Sequence, residues 1–92
     1  MSEGLPASLK LRVITSNEVL VDDEVDEVAL PSLQGYLGIL PGHRSLLVAL
    51  GEGTIEYRKA QSMKHVLVVG GYARVEPESV LVFTEPGENE PR

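Results

Sequence analysis

The chain has 92 residues, 42% of them hydrophobic, with no cysteine and a formal net charge of −6; this suits one small domain with one core and excludes a disulfide framework, a thiol nucleophile and a thiolate metal site. The acidic balance argues against nucleic acid or an anionic lipid surface as the main partner, because both attract Lys/Arg clusters. The opening residues hold no apolar run of signal-peptide length and no segment approaches the roughly 18 apolar residues of a membrane span, so no direct membrane insertion is expected.

In chain order, the dominant period is two. In LKLRVIT, Leu9, Leu11 and Val13 alternate with Lys10 and Arg12, which predicts a first strand with one wet and one dry face. EVLVDDEVDEVALP predicts two short strands, around Val19–Val21 and Val25–Leu30, with the acidic run Asp22, Asp23, Glu24 as a solvated turn between them. Leu37–Leu40 and Leu46–Leu50 are brief apolar strands bounded by Gly and Pro-Gly breakers, the second also compatible with a helical turn. GTIEYRKA alternates Ile55 and Tyr57 with Glu56 and Arg58. KHVLVVGGYARVEP has a Val/Leu run, a Gly70-Gly71 interruption, then Tyr72–Val75; a continuous apolar run of this kind marks a strand covered on both faces. SVLVFTEP closes the series. Short strands with turn signals every 8–12 residues predict an all-β, two-sheet sandwich or barrel. Residues 9–85 form the domain, with residues 1–8 a flexible N-terminus and residues 86–92 a flexible polar tail. The expected core comprises Leu9, Leu11, Val13, Val28, Leu30, Val66, Val68, Val80 and Val82.

Chemistry-bearing constellations are sparse. His43 and His65 are the only histidines, and neither stands at i, i+4 spacing from another ligand. Ser45 lies near His43 but outside any G-x-S-x-G elbow. A calcium loop begun at Asp22 puts Glu27 where Gly is required and Leu33 where a bidentate Glu belongs. Gly35 and Gly38 are followed by no Lys-Ser or Lys-Thr, so a phosphate cradle is missing. Four aromatics and no Trp leave little for stacking on sugars or single-stranded nucleic acid. No catalytic, cofactor-binding or metal residue is expected, and a binding or assembly module is favoured. Within it, GYLGILPGHRSLL is either a shaped connection between strands or a rigid turn that projects His43 and Arg44 towards a partner.

Four segments carry a resemblance to a known family. LKLRVITSNEVLVDDEVDEVALPS resembles the opening strands, GYLGILPGHRSLLVAL the G-x-(L/F)-G-(I/V)-L-P-G-H-x-P-L-L run, GTIEYRK the following strand, and VVGGYARVEPESVLVFTE the G-G-F-x-E-V segment of the ε subunit of F-type ATP synthases, in its N-terminal β-sandwich domain. The resemblance covers about Leu9 to Glu85. It implies a sandwich of about ten strands, part of the central-stalk rotor, with no active site of its own. Such a subunit binds the γ subunit and the polar loops of the c-ring, meets the α/β catalytic head through the complex, and couples proton translocation to ATP synthesis. Its expected location is peripheral, at the cytoplasmic face of a bacterial energy-transducing membrane. The family's γ interface carries over to Gly42 and His43, with Arg44, Thr15 and Ser16 on related ground. The ring-facing loop carries over to Ser32, Leu33, Gln34, Gly35 and Tyr36.

Three departures qualify the resemblance. Gln34 and Tyr36 stand where family members commonly carry acidic residues, so hydrogen bonding or packing through Tyr36 is expected to replace an ionic contact with the ring. Ser45 stands in the place of the family's proline, which frees a backbone N–H and would let that strand extend by a residue. The two-helix domain that commonly follows the sandwich has no counterpart before Arg92, so the chain is expected to be a short form, and the inhibitory and ATP-sensing roles of that domain do not carry over. A free-standing β-sandwich interaction module is the alternative, distinguished by whether the chain co-purifies with γ.

Overall fold

The structure is a computed structural model and describes residues 6–85. Eight strands make up the described chain: β1 (Leu9–Ile14), β2 (Val19–Val25), β3 (Glu27–Ser32), β4 (Gly35–Ile39), β5 (Leu46–Ala49), β6 (Glu52–Lys59), β7 (Ser62–Glu76) and β8 (Ser79–Glu85). Hydrogen bonding runs β2-β1-β8-β7-β6-β3-β4, with β5 also paired to β7. The 15-residue β7 belongs to two layers. Ser62–Val69 pairs with β6, while Tyr72–Glu76 pairs with β8 and Tyr72–Val75 with β5. One layer is therefore β5-β7-β8-β1-β2 and the other β7-β6-β3-β4, and their apolar faces close on a single core. All nine expected core residues are buried in it, each buried side chain contributing about 1.5–3 kcal/mol of hydrophobic stabilisation. The expectation of loose ends at residues 1–5 and 86–92 lies outside the described residues; at the described part of the N-terminus, the Ser8 hydroxyl donates to a Glu24 carboxylate oxygen at 3.0 Å.

The bend in β7 falls at the glycine pair. Gly70 and Gly71 have φ of +74° and +100°, and the β7–β8 register shifts between Val69 and Tyr72. Positive φ favours glycine at both positions, but the second has a further demand: a Cβ on Gly71 would collide with the Phe83 carbonyl oxygen, whereas one on Gly70 meets nothing. Buried Thr84 clasps the bend. Its hydroxyl accepts from the Val69 N–H at 3.3 Å and donates to the Gly70 carbonyl at 2.8 Å.

The acidic run corrects the sequence expectation. Asp22, Asp23 and Glu24 lie inside β2, and only Asp26 separates β2 from β3. An edge strand accommodates this because its period-two pattern keeps Val21 and Val25 buried while its charges blunt an otherwise open edge. The acids also find partners. Asp22 lies 3.7 Å from Lys10, and Asp23 accepts from Lys59 at 2.8 Å, fastening β2 to β6 across the layers. The Lys59 hydrogen bond holds the Asp23 carboxyl below its usual range, and Asp23 in turn raises the Lys59 ammonium.

The β3–β4 hairpin is completed in an unusual way. Pro31 lies inside β3, one residue past Leu30 and beyond the last β3–β6 pair, Ala29 with Glu56. Continued, that register sets Thr54 opposite Pro31, which has no N–H to donate. Tyr36, the β4 partner of Pro31, supplies the missing group. Its hydroxyl donates to the Thr54 carbonyl at 2.9 Å and accepts from the Thr54 N–H at 3.2 Å. Gly53 leaves the room, since a Cβ there would stand 3.0 Å from the Pro31 Cβ and 3.4 Å from the Tyr36 hydroxyl. β5 is a strand, as its apolar run predicts, and it corrects one further expectation: it begins at Leu46 without extending to Ser45. The Ser45 hydroxyl instead donates to Glu76 at 3.0 Å, which anchors the residue outside the ladder.

Three measurements check these contacts. Gly71→Ala is expected to destabilise by about 3 kcal/mol or more, because backbone must shift, while Gly70→Ala costs about 1–2 kcal/mol for the left-handed conformation alone; chemical denaturation distinguishes them. Tyr36→Phe leaves the Thr54 groups unpaired and is expected to cost about 1 kcal/mol, lowering Tm by about 4–8 °C. The lowered Asp23 carboxyl contributes stability above the usual carboxylate value of 3.8 that is lost as pH falls through its folded value. Asp23→Asn is therefore expected to flatten the part of the acid limb of the stability profile that lies below the usual carboxylate value of 3.8.

Candidate interaction surface

The Leu40–His43 turn presents the first group of candidate residues. The His43 N–H donates to the Leu40 carbonyl at 3.1 Å, with Pro41 second and Gly42 third at φ +91°, the arrangement of a type II turn. The Gly42 N–H donates to the Pro77 carbonyl at 2.8 Å, which pins this turn to the β7–β8 connection. His43 is half-buried, and its Nδ1–H folds back onto the Arg44 carbonyl at 2.8 Å. Arg44 is the side chain that projects; it is exposed and makes no ion pair among the described residues. Beneath it, Glu76 accepts from Ser45 at 3.0 Å and faces Arg74 at 3.7 Å.

Thr15 and Ser16 occupy the β1–β2 turn. The Thr15 hydroxyl accepts from the Asn17 and Glu18 N–H groups at 3.1 and 3.2 Å, so it closes the turn, while Ser16 is exposed. The structure does not bring this pair beside Gly42, His43 and Arg44. The β1–β8 ladder runs from Lys10 opposite Ser79 to Ile14 opposite Phe83. Pro77 lies before its first end and Thr15 after its second, so the two groups bracket the layer lengthwise.

Between them lies a surface that motif reasoning missed. On the outer face, cross-strand register aligns Ala49, Tyr72, Phe83 and Ile14 in one row. Leu47, Arg74, Leu81 and Arg12 form the next. Tyr72 is 48% exposed, and its ring packs on Phe83 with centroids 5.3 Å apart. Aromatic and aliphatic side chains with two arginines thus face outward on a chain of net charge −6. The sequence signal was present: in SVLVFT, Leu81 and Phe83 alternate with buried Val80 and Val82, so both faces of β8 are apolar and the outer one lacks a cover within the domain.

The second candidate group forms the β3–β4 turn. Ser32 donates to the Gly35 carbonyl and accepts from the Gln34 N–H, and the Leu33 N–H donates to the Ala49 carbonyl at 3.1 Å. Gly35 takes φ of +117°. Leu33 stands out at the tip, 71% exposed. The Tyr36 hydroxyl is consumed by Thr54, so only its ring is available to a partner, which narrows the sequence expectation for this residue to packing. Among the described residues no three His, Asp or Glu side chains gather in a way that could hold a metal ion.

Comparison with known proteins places this geometry. The family model described as "ATP synthase, Delta/Epsilon chain, beta-sandwich domain" matches residues 8–90. The chain is 42% identical over 84 residues to the ATP synthase epsilon chain of Solibacter usitatus (strain Ellin6076), covering 91% of this chain and 63% of that protein. It is 43% identical over 81 residues to that of Synechococcus sp. (strain WH7803), covering 88% and 60%. The chain thus spans about 60% of the length of these relatives. Among solved structures, a chain of the Euglena gracilis mitochondrial ATP synthase, OSCP/F1/c-ring in rotational state 1, shares the fold with a TM-score of 0.81 at 23% identity, over 90% of this chain and 54% of that one. A chain of the Tetrahymena thermophila mitochondrial ATP synthase central stalk/c-ring shares it with a TM-score of 0.70 at 14% identity, over 84% and 63%. Joined by the L-G-I-L-P-G-H turn and the G-G bend that build its two layers, this chain belongs to the ATP synthase delta/epsilon chain β-sandwich family.

Proposed function

We propose that this chain is a non-catalytic subunit of the central stalk of an F-type ATP synthase. It binds the γ subunit through the outer face of the β5-β7-β8-β1 layer, meets the c-ring with the Ser32–Tyr36 turn, and helps couple proton translocation to ATP synthesis at the face of an energy-transducing membrane. The observation that carries this reading is the outward-facing row of exposed Ala49 and Tyr72 with half-buried Phe83 and Ile14. A contiguous apolar row with two aromatic members, flanked by a row that carries Arg12 and Arg74, has the composition of an interface centre. The turn at Leu40–His43 and the cap at Thr15 make both ends of that face rigid, which reduces the entropy lost on docking. His43 acts here through its backbone and its bond to Arg44, leaving Arg44 as the outward contact.

The neutral β3–β4 turn supports a contact of packing rather than charge with the ring. The test is binding to purified γ. Tyr72→Ala combined with Arg44→Ala is expected to weaken the complex about tenfold to a hundredfold, equivalent to about 1.4–2.7 kcal/mol, with an unchanged circular dichroism spectrum. Exposed Ser16→Ala changes affinity less than about twofold. A folded wild-type chain that fails to bind γ and the c-ring would identify a free-standing interaction module instead.

A further inference from the structure

The two layers do not seal on the side of β4 and β5. Among the described residues β4 pairs only with β3, and β5 pairs along its length only with β7, with a single Ser32–Leu50 bridge just past its end, so most of each outer edge is unpaired. Between the edges lies an open groove of about 460 Å³, lined among others by Leu33, Tyr36, Leu37, Leu46, Leu47 and Ala49. No lining residue is charged, although 24% of the chain is. Charges are the usual protection of an exposed edge, and they are present on the β2 edge of the same molecule. Their absence here, beside Leu33 and Leu47 at 71% and 69% exposure, leaves an edge that is open to pairing.

The main chain shows how such pairing starts. The Leu33 N–H donates to the Ala49 carbonyl, on the side of β5 away from β7, while the Leu50 N–H next to it donates to the Gly71 carbonyl. Because main-chain groups alternate sides along a strand, the N–H and C=O of Leu47 point the same way as those of Ala49, into the groove. The β3–β4 turn thus makes the first rung of a ladder whose next rung has no strand to fill it.

We infer that the groove takes an extended, uncharged and partly apolar segment of a partner protein, about four residues long, added as a strand to β5. This inference rests on the rotor reading, with the segment contributed by a neighbouring subunit. Main-chain hydrogen bonds to Leu47 supply the alignment, and the wall formed by Leu33, Tyr36 and Leu37 accepts apolar side chains. A neutral lining selects a neutral segment, since a charge brought here would be desolvated without a counter-charge.

Hydrogen exchange followed residue by residue, on the chain alone and in the complex reconstituted with γ and the c-ring, tests this. The Leu47 amide is expected to exchange freely in the isolated chain and at least tenfold more slowly in the complex, with the same protection at 50 and 500 mM salt. In parallel, Leu47→Pro removes the N–H at a position where β7 does not need it; it is expected to bind at least tenfold more weakly than Leu47→Thr, which keeps the N–H and loses the same side chain. A complex that forms while the Leu47 amide exchanges at its free rate overturns the groove and leaves the rotor reading intact. Protection that already appears in the isolated chain and grows with its concentration assigns the edge to a second copy and also overturns the inference. Failure to assemble at all refutes both readings together.

Discussion

The double membership of β7 is the constraint on which this domain depends. A single strand can serve two layers only if it turns sharply while keeping its inward residues inward, and here Val66 and Val68 before the bend and Ala73 and Val75 after it all enter the same core. Two consecutive residues at positive φ provide the turn. The closeness of Gly71 to the Phe83 carbonyl means that β8 passes directly beneath it, so the bend and the β7–β8 pairing are one event. Thr84 makes the link explicit by bonding Val69, just before the bend, and Gly70 within it.

From that bend follows an uneven distribution of edges. On one flank polar contacts tie the layers, with Lys59 on Asp23, and brace the start of the β3–β6 ladder, with Arg58 on Asp26 and Glu27. Those pairs are substantially exposed, so their contribution is alignment more than stability. On the other flank the ties are main-chain bonds, from Gly51 to the Pro31 carbonyl and from Leu33 to the Ala49 carbonyl, and charge is absent. The acidic run thus lies on the β2 edge, away from the uncharged groove between β4 and β5. An acidic edge set apart from apolar, neutral surface separates solubility from contact.

Sequence reasoning reached different depths for different elements. Period-two spacing was sufficient for β1 and β8, where buried and outward positions alternate throughout, and for the Ile55–Tyr57 part of β6. It failed at the acidic run, because three charged residues in succession resemble a turn whereas an edge strand with cross-layer partners tolerates them. It also did not show that the Tyr36 hydroxyl is engaged, since no local pattern reveals that Pro31 on the adjacent strand leaves the Thr54 main-chain groups for it to meet. His43 is a similar case: the Pro-Gly turn was legible, but the return of its ring to the Arg44 carbonyl depends on side-chain geometry.

By itself, the sequence determined the all-β class, the nine core positions, the two tight turns and, through its motifs, the family. These are local or periodic properties, set by Cβ alternation and by the φ that Pro and Gly permit. Only the tertiary structure decided which strands share a layer, that Thr15 and Arg44 stand at opposite ends of one face, and that Ala49, Tyr72, Phe83 and Ile14 form a row on it. Those facts depend on register between segments up to about 70 residues apart, as in the parallel pairing of Ile14 with Phe83. Such register is chosen by the closing of the whole core around the bend in β7, for which no single stretch of the chain carries a signal.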